Sequence, residues 1–548
     1  MAVSLHGLRW KIAAAALLTR TARRLGRIPA SAWMIRTAAA RLQPRDQEAT
    51  GTYRGIAADL LSRTLPADDD AAGIHYDSVA GLVPGPPAER LRPIDLAARA
   101  ESSPTAGNHL AAAAAHRKPY VSDLTAAVNH YEQAFALNPK DLRAVEGALT
   151  TGARTHFDWP RIWTVVQVLL PRRGPVRAGT RFWDVLSALF TQTPDPDMLP
   201  RAKALLKEHR EDLPELHQLL LEAIAARLQY LGEFFAGFEV REAAARNRIR
   251  ELAGIPLESG IWLKHLLGAY AYLDEDQQLR ATAEKPPVDT SDPRTLLQAQ
   301  KLQADVALLR GEVAPLQSHA QQRRDAMRLP GEEGMSEVVE GKRVAVVGPV
   351  SGDGLGELIE SYDVVVRTRH AAAGGDAEAG RRTDIAYYAG RDLLRDFLEV
   401  SAAAESGVFQ RAVTRPFFIE APSLQEWPQW LRPARFEHGL YFRGAPMGLQ
   451  RILYDLLQFQ PAELAVFNAD LYAGKAFAAS GYRTSYATFG PQNQTNDVVI
   501  MHDLAYEFRW TARMHQAGLI TAHGTTAEVL SLSEEDYLRR LESGPLGG

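Results

Sequence analysis

Toward the C-terminus the run His502-Asp503-Leu504-Ala505-Tyr506-Glu507 sets an imidazole five residues before a carboxylate. On an ideal helix that offset turns the two side chains about 140° apart, so they cannot share one helical face. The pattern predicts His502 in a loop, Asp503 as N-cap and Glu507 in the first turn, where a carboxylate suits the helix dipole. An imidazole with its ordinary pKa of ~6.5 can take a proton at neutral pH, or it can simply cap the helix. Asn468 and Asp470 follow an apolar run, Leu464 to Phe467. They can hydrogen-bond a sugar or base, or close a turn. Arg367 and Arg369 end another such run, Val364 to Val366. Guanidinium pairs with phosphate through two hydrogen bonds, although Asp363 and Glu357 are alternative partners. Gly348, Gly352, Gly354 and Gly356 follow a third run, Val344 to Val347.

These residues need elements to hold them. A continuous apolar run bounded by glycine reads as a strand buried on both faces of a parallel sheet. The glycine turn then feeds a short helix through Leu355, Leu358 and Ile359, and the next apolar run reads as a second strand. This β-turn-α-β start is typical of nucleotide-binding α/β domains. The glycines do not spell G-x-G-x-x-G, and no Lys-Ser or Lys-Thr completes a P-loop. Further on, Leu449, Ile452, Leu453, Leu456 and Leu457 fall on one helical face, opened by Pro446 and followed by Pro461. The expected fold of 343–548 is α/β and Rossmann-like, with a mostly parallel sheet.

The order of the motifs carries more than any one of them. Val346-Val347-Gly348, Gly356, Ile359, Ser361-Tyr362-Asp363, Val365, Arg367 and Thr383-Asp384 together resemble the large sialylmotif of the sialyltransferases, glycosyltransferase family 29. Pro446-Met447-Gly448-Leu449, its helix and the strand ending at Asn468-Ala469-Asp470 resemble the small sialylmotif. His502 to Glu507 matches the very small motif, His-x4-Glu. The resemblance covers roughly residues 343 to 522. It departs at Pro349 and Arg369, where the family has Asn, and at Met447, where the family has a hydroxyl residue. The disulfide of vertebrate members is impossible in a chain without cysteine. Only Tyr482, Tyr486 and Phe489 could stand for their aromatic/His motif.

The resemblance implies an inverting, metal-independent transfer of a sialic-acid- or Kdo-type sugar from its CMP ester to a hydroxyl of a glycan or other acceptor. It implies His502 as base and Glu507 as the group that orients it or holds its loop. Gly348, Gly352, Gly354, Asp363, Arg367, Arg369, Thr383, Gly448, Asn468 and Asp470 would surround the donor nucleotide. No cofactor or metal is expected beyond the CMP-sugar itself. Two rivals stay open. One is a dinucleotide-binding domain, which the missing glycine fingerprint disfavours. The other is a non-catalytic helical-repeat scaffold with a degenerate nucleotide-binding domain.

The remainder of the 548 residues is helical in pattern. Residues 1–64 read as a basic helical segment, 65–117 as a Pro/Gly/Ala-rich linker, 118–325 as an α-helical domain and 326–342 as a second linker. Ala127, Tyr131, Ala134 and Pro139 have the spacing of a tetratricopeptide-repeat helix, echoed weakly by Ala245, Ile249, Leu252 and Pro256. Such a region suits self-association or a protein partner. A net charge of -4 disfavours nucleic acid as a partner. The absence of cysteine removes thiolate chemistry and fits a reducing, cytoplasmic setting. Residues 1–45 carry basic and apolar side chains but no acid, a composition suited to peripheral contact at the inner face of an anionic membrane.

Overall fold

A computed structural model describes residues 93–117, 123–155, 157–252, 260–284, 293–327, 331–350, 354–370, 377–388, 393, 396–414, 428–434, 437–444, 446–474 and 502–544. The basic segment, the greater part of the first linker, Gly352 and the aromatic candidates Tyr482, Tyr486 and Phe489 lie outside them. The chain divides into two compact units. The first holds most of the residues up to Ala299, and the second is formed chiefly by Gln300–Gly548.

The first unit is helical. Its helices are α1 (Pro93–Ser102), α2 (Ala106–Arg117), α3 (Leu124–Leu137), α4 (Leu142–Thr155), α5 (Trp159–Val166), α6 (Arg181–Leu189), α7 (Met198–Glu208), α8 (Gln218–Tyr230), α9 (Phe234–Leu252), α10 (Gly260–Tyr272) and α11 (Asp276–Ala283). Helices α1 and α2 occupy part of the stretch read as linker. On α3, Ala127, Tyr131 and Ala134 are all buried, as their spacing requires. Gly147 of α4 lies flat against the Tyr131 ring, where even a methyl group would collide. Asp123 caps α3 by accepting the Ala126 N–H at 3.0 Å.

The second unit is a seven-stranded sheet whose described pairings are all parallel, ordered β5-β4-β3-β2-β1-β6-β7. The strands are β1 (Arg343–Val347), β2 (Val364–Thr368), β3 (Ile385–Tyr388), β4 (Arg411–Thr414), β5 (Leu431–Pro433), β6 (Glu463–Phe467) and β7 (Thr521–Ala522). Its helices are α12 (Pro293–Leu309, from Gln300), α13 (Ala314–Met327), α14 (Glu332–Val339), α15 (Gly356–Glu360), α16 (Phe397–Glu405), α17 (Gly448–Leu457), α18 (Leu504–Gln516), α19 (Thr525–Leu530) and α20 (Glu534–Ser543). Both faces of the central strands are covered, so β1 and β6 read as unbroken apolar runs. On one face Ala345, Val347, Val365, Ala465 and Phe467 pack with Ile359 of α15 and with Tyr362.

The boundary between units falls earlier than residue 343, and an ionic cluster explains it. Arg432 of β5 donates to Glu332 Oε1 at 2.9 and 2.7 Å and to both oxygens of Asp455 at 2.6 and 3.0 Å. Arg323 of α13 reaches Gln458 at 2.9 Å and Glu332 at 3.4 Å. Tyr387 of β3 donates to Asp455 at 2.6 Å. All four ionic side chains are at most 4% exposed. Two guanidinium groups thus balance two carboxylates away from water, an arrangement that tolerates no missing member. Glu332 therefore belongs to the packed interior, within the stretch 326–342 expected to be a linker. Asp305 of α12 adds a second anchor, accepting from Lys301, Tyr454 and Gly439 N at 2.5, 2.7 and 2.8 Å.

Candidate active site

In a parallel sheet ligands gather outside the C-terminal ends of the strands, where the strand order reverses. Here the reversal lies between β1 and β6. From β1 the chain moves outward through β2 to β5, then returns to place β6 on the other side of β1. Two backbone hydrogen bonds join the strand ends at that point. Gly348 N–H donates to the Phe467 carbonyl at 2.8 Å, and Val350 N–H to the Asn468 carbonyl at 3.1 Å. A side chain on Gly348 would strike the Asn468 carbonyl, so only glycine lets the two strand ends approach so closely.

Asn468 is the least conventional residue of this edge. It is fully buried, takes a left-handed backbone with φ 52°, and neither its side-chain oxygen nor its nitrogen has a hydrogen-bond partner. Burying an amide unbonded costs about 1–3 kcal/mol. Strain and unmet polarity of this kind concentrate where proteins bind ligands. Arg369, just beyond β2, is also left-handed, at φ 75°, and 8% exposed. Two strained non-glycine residues therefore end the strands on either side of β1.

The His-x4-Glu segment approaches from α18. Asp503 is the N-cap, accepting the Tyr506 N–H at 3.2 Å, with His502 just outside the helix and Glu507 in its first turn. Glu507 is fully buried. One oxygen accepts the Tyr441 hydroxyl at 2.8 Å and the other accepts the Met447 N–H at 2.8 Å. That second oxygen also lies 4.0 Å from His502 Nδ1. Met447 is the N-cap of α17, and its side chain makes no capping bond. Glu507 therefore bonds the turn that opens α17 and lies beside the imidazole. Gly448 of that turn faces the Thr368 methyl, at the C-terminal end of β2. Gln450 completes the join, donating to the Thr511 hydroxyl of α18 at 2.7 Å. Burial pushes the Glu507 carboxyl up to about 8.

Other expected donor contacts stand elsewhere. Asp363 accepts the Arg343 N–H at 2.8 Å, at the strands' N-terminal edge, opposite the glycine turn. Thr383 is buried at that same edge, just before Asp384 pairs with Val365. The Arg367 guanidinium is occupied by the carbonyls of Ala379, Gly380 and Arg382 at 2.7, 3.0 and 3.0 Å. Burial lowers its pKa to about 10. It fastens the loop before β3 rather than meeting a phosphate. Asp470 sits at the ligand edge, but it accepts the Tyr472 N–H at 3.0 Å and braces a turn in which Leu471 and Tyr472 are both left-handed. Burial raises its pKa. Gly354 is left-handed and exposed in the glycine turn, with open space where a side chain would be.

The edge thus brings together Gly348, Arg369, Asn468 and Asp470, and Glu507 lies between His502 and the Met447-Gly448 turn. It leaves Asp363, Thr383 and Arg367 in structural roles. Sequence reasoning missed Tyr441, whose hydroxyl completes the Glu507 clamp. It sits in an irregular segment with no periodic signal. Also unforeseen was His370, which follows Arg369 and places Nδ1 2.5 Å from the Tyr388 hydroxyl. Among the described residues no group of three or more His, Asp or Glu is gathered to hold a metal ion, and no helix is long and apolar enough to cross a membrane. No known protein family, curated protein or solved structure matches the chain.

Proposed function

We propose that the second unit is an inverting, metal-independent glycosyltransferase that moves a sialic-acid- or Kdo-type sugar from its CMP ester to a hydroxyl of a glycan. The observation that carries this reading is the buried, unbonded amide of Asn468 at the strand-order reversal, on the same edge as the α17 turn that Glu507 bonds beside His502. Asn468 would meet the hydrogen-bonding edge of the cytidine or its ribose. The N-terminus of α17 and Arg369 would offset charge on the departing phosphate.

In this reaction the acceptor oxygen bonds to the anomeric carbon as the carbon–oxygen bond to CMP breaks on the opposite face. CMP leaves with that electron pair. The acceptor proton passes to His502, through Nε2 because Nδ1 faces Glu507. Glu507 acts through His502 and Met447 rather than on the substrate. The helical first unit, with its repeat-like α3, suits docking to a protein partner or self-association. A cytoplasmic setting, with residues 1–45 at the inner membrane face, accords with the composition.

The test is a panel of CMP-sugars scored for donor hydrolysis and transfer. His502→Ala is expected to lower turnover by roughly 10²–10⁴-fold while CMP affinity stays unchanged. Wild-type-like turnover in the variant would remove His502 from the mechanism. Absence of turnover with every CMP-sugar, together with retained nucleotide binding, would favour the non-catalytic scaffold.

A further inference from the structure

The first unit contains a cluster of histidines that the transferase reading does not use. His109 and His116 lie seven residues apart on α2, two turns along one face. His130 of α3 packs against both, with ring centroids 5.3 Å from His109 and 5.7 Å from His116. The Nδ1 atoms of His109 and His130 are 3.1 Å apart. At that distance one nitrogen must donate and the other accept, so the pair holds together only while one Nδ1 is bare. His116 is packed with both ring nitrogens buried and without a hydrogen-bond partner.

We propose that His109 and His130, packed against His116, form a proton-operated latch between α2 and α3, closed while at least one ring of the pair is neutral and opened when both take a proton. A second proton sets two cations against each other in a poorly hydrated seam and removes the acceptor of the His109–His130 contact. Burial lowers the pKa of His109 and of His130, and the two other histidines lower His130 further. The opposing groups are few. Glu101 of α1 acts on His109 and His130. Asp123 lies 3.7 Å from His116 Nδ1, but it is also the cap of α3. Arg117 lies at the end of α2 and bonds the Tyr131 hydroxyl at 3.4 Å. From α5, Arg161 reaches α3 and is engaged by Asn129 and Glu132. From α4, the neighbour across α3 is Gly147, which has no charge.

The sign follows from linkage. With both pKa values lowered in the fold, the unfolded segment binds more protons, so stability rises with pH. The loss therefore begins as pH falls below about 6.5 and continues down through the folded values.

Hydrogen exchange of the full chain, read by mass spectrometry on peptides spanning 106–117 and 124–137, tests this at about pH 7.5 and about pH 5.5. After correction for the intrinsic pH dependence of exchange, protection in these peptides should fall severalfold on acidification, the direction set by the lowered histidine pKa values. His130→Gln should abolish the fall. His116→Gln, which leaves the His109–His130 contact in place, should reduce it. Equal protection at the two pH values in the wild type would overturn the latch. So would an undiminished fall in both variants, or a pH effect erased by added zinc, which would mark a metal site instead.

Discussion

Glu507 is buried where a carboxylate is costly to charge, yet its two acceptor bonds hold the turn beside the candidate base. Its raised pKa, about 8, makes stability fall as pH rises from its unfolded value through 8, because the native state holds the extra proton. The full penalty above pH 8 is on the order of 5 kcal/mol. Glu507→Gln keeps the shape and cannot ionise; its amide oxygen can still accept the Met447 N–H while its NH2 donates to the Tyr441 hydroxyl oxygen. Thermal melts should show little difference between the two proteins near pH 4 and an advantage of the variant that grows from about pH 4.5 to about pH 8 and then levels off. A difference that does not change with pH would mean that Glu507 titrates normally. At this scale the sequence was only partly legible. His502, Asp503 and Glu507 declared their loop, cap and first-turn positions through helix chemistry alone. The sequence could not say that Asp363 and Thr383 stand at the wrong edge of the sheet, because motif order does not carry the direction of a side chain. Nor could it say that Arg367 would be taken up by carbonyls of its own loop.

The elements were more legible than their partners. Apolar runs at β1, β2 and β6 announced buried parallel strands, and the Pro446 start and one-sided leucines announced α17. What escaped was α14. Glu332 and Glu333 in a glycine-flanked segment look like a solvated linker, and only the fold reveals Arg432 and Arg323 on the other side of Glu332. The ion cluster joins α13, α14, β5 and α17. Glu332→Gln should therefore destabilise the second unit by roughly 3–5 kcal/mol, since it leaves a buried guanidinium undercompensated. Chemical denaturation would measure this. A loss below about 1 kcal/mol would show the cluster to be wetter than its packing indicates.

For the molecule as a whole, the useful division is near Gln300 rather than at the first strand. Composition placed the helical and α/β regions correctly in order but not their border, because α12 and α13 read as helix either way. Asp305, Arg323 and Glu332 all complete polar clusters within the second unit. A chain beginning at Gln300 should melt cooperatively. One beginning at Arg343 should not, because Arg432 and Tyr454 would lose buried partners. Equal cooperativity in calorimetric melts of the two would contradict this border.

The crevice between β1 and β6 is the centre of the account, and calorimetric titration with CMP, alongside NAD, probes it most directly. Wild-type protein should bind CMP and not NAD. Asn468→Gly relieves the left-handed strain and the unmet amide, so it should keep or raise the melting temperature while weakening CMP binding about tenfold or more. CMP binding that is absent in the wild type, or unchanged in a well-folded Asn468→Gly, would contradict it.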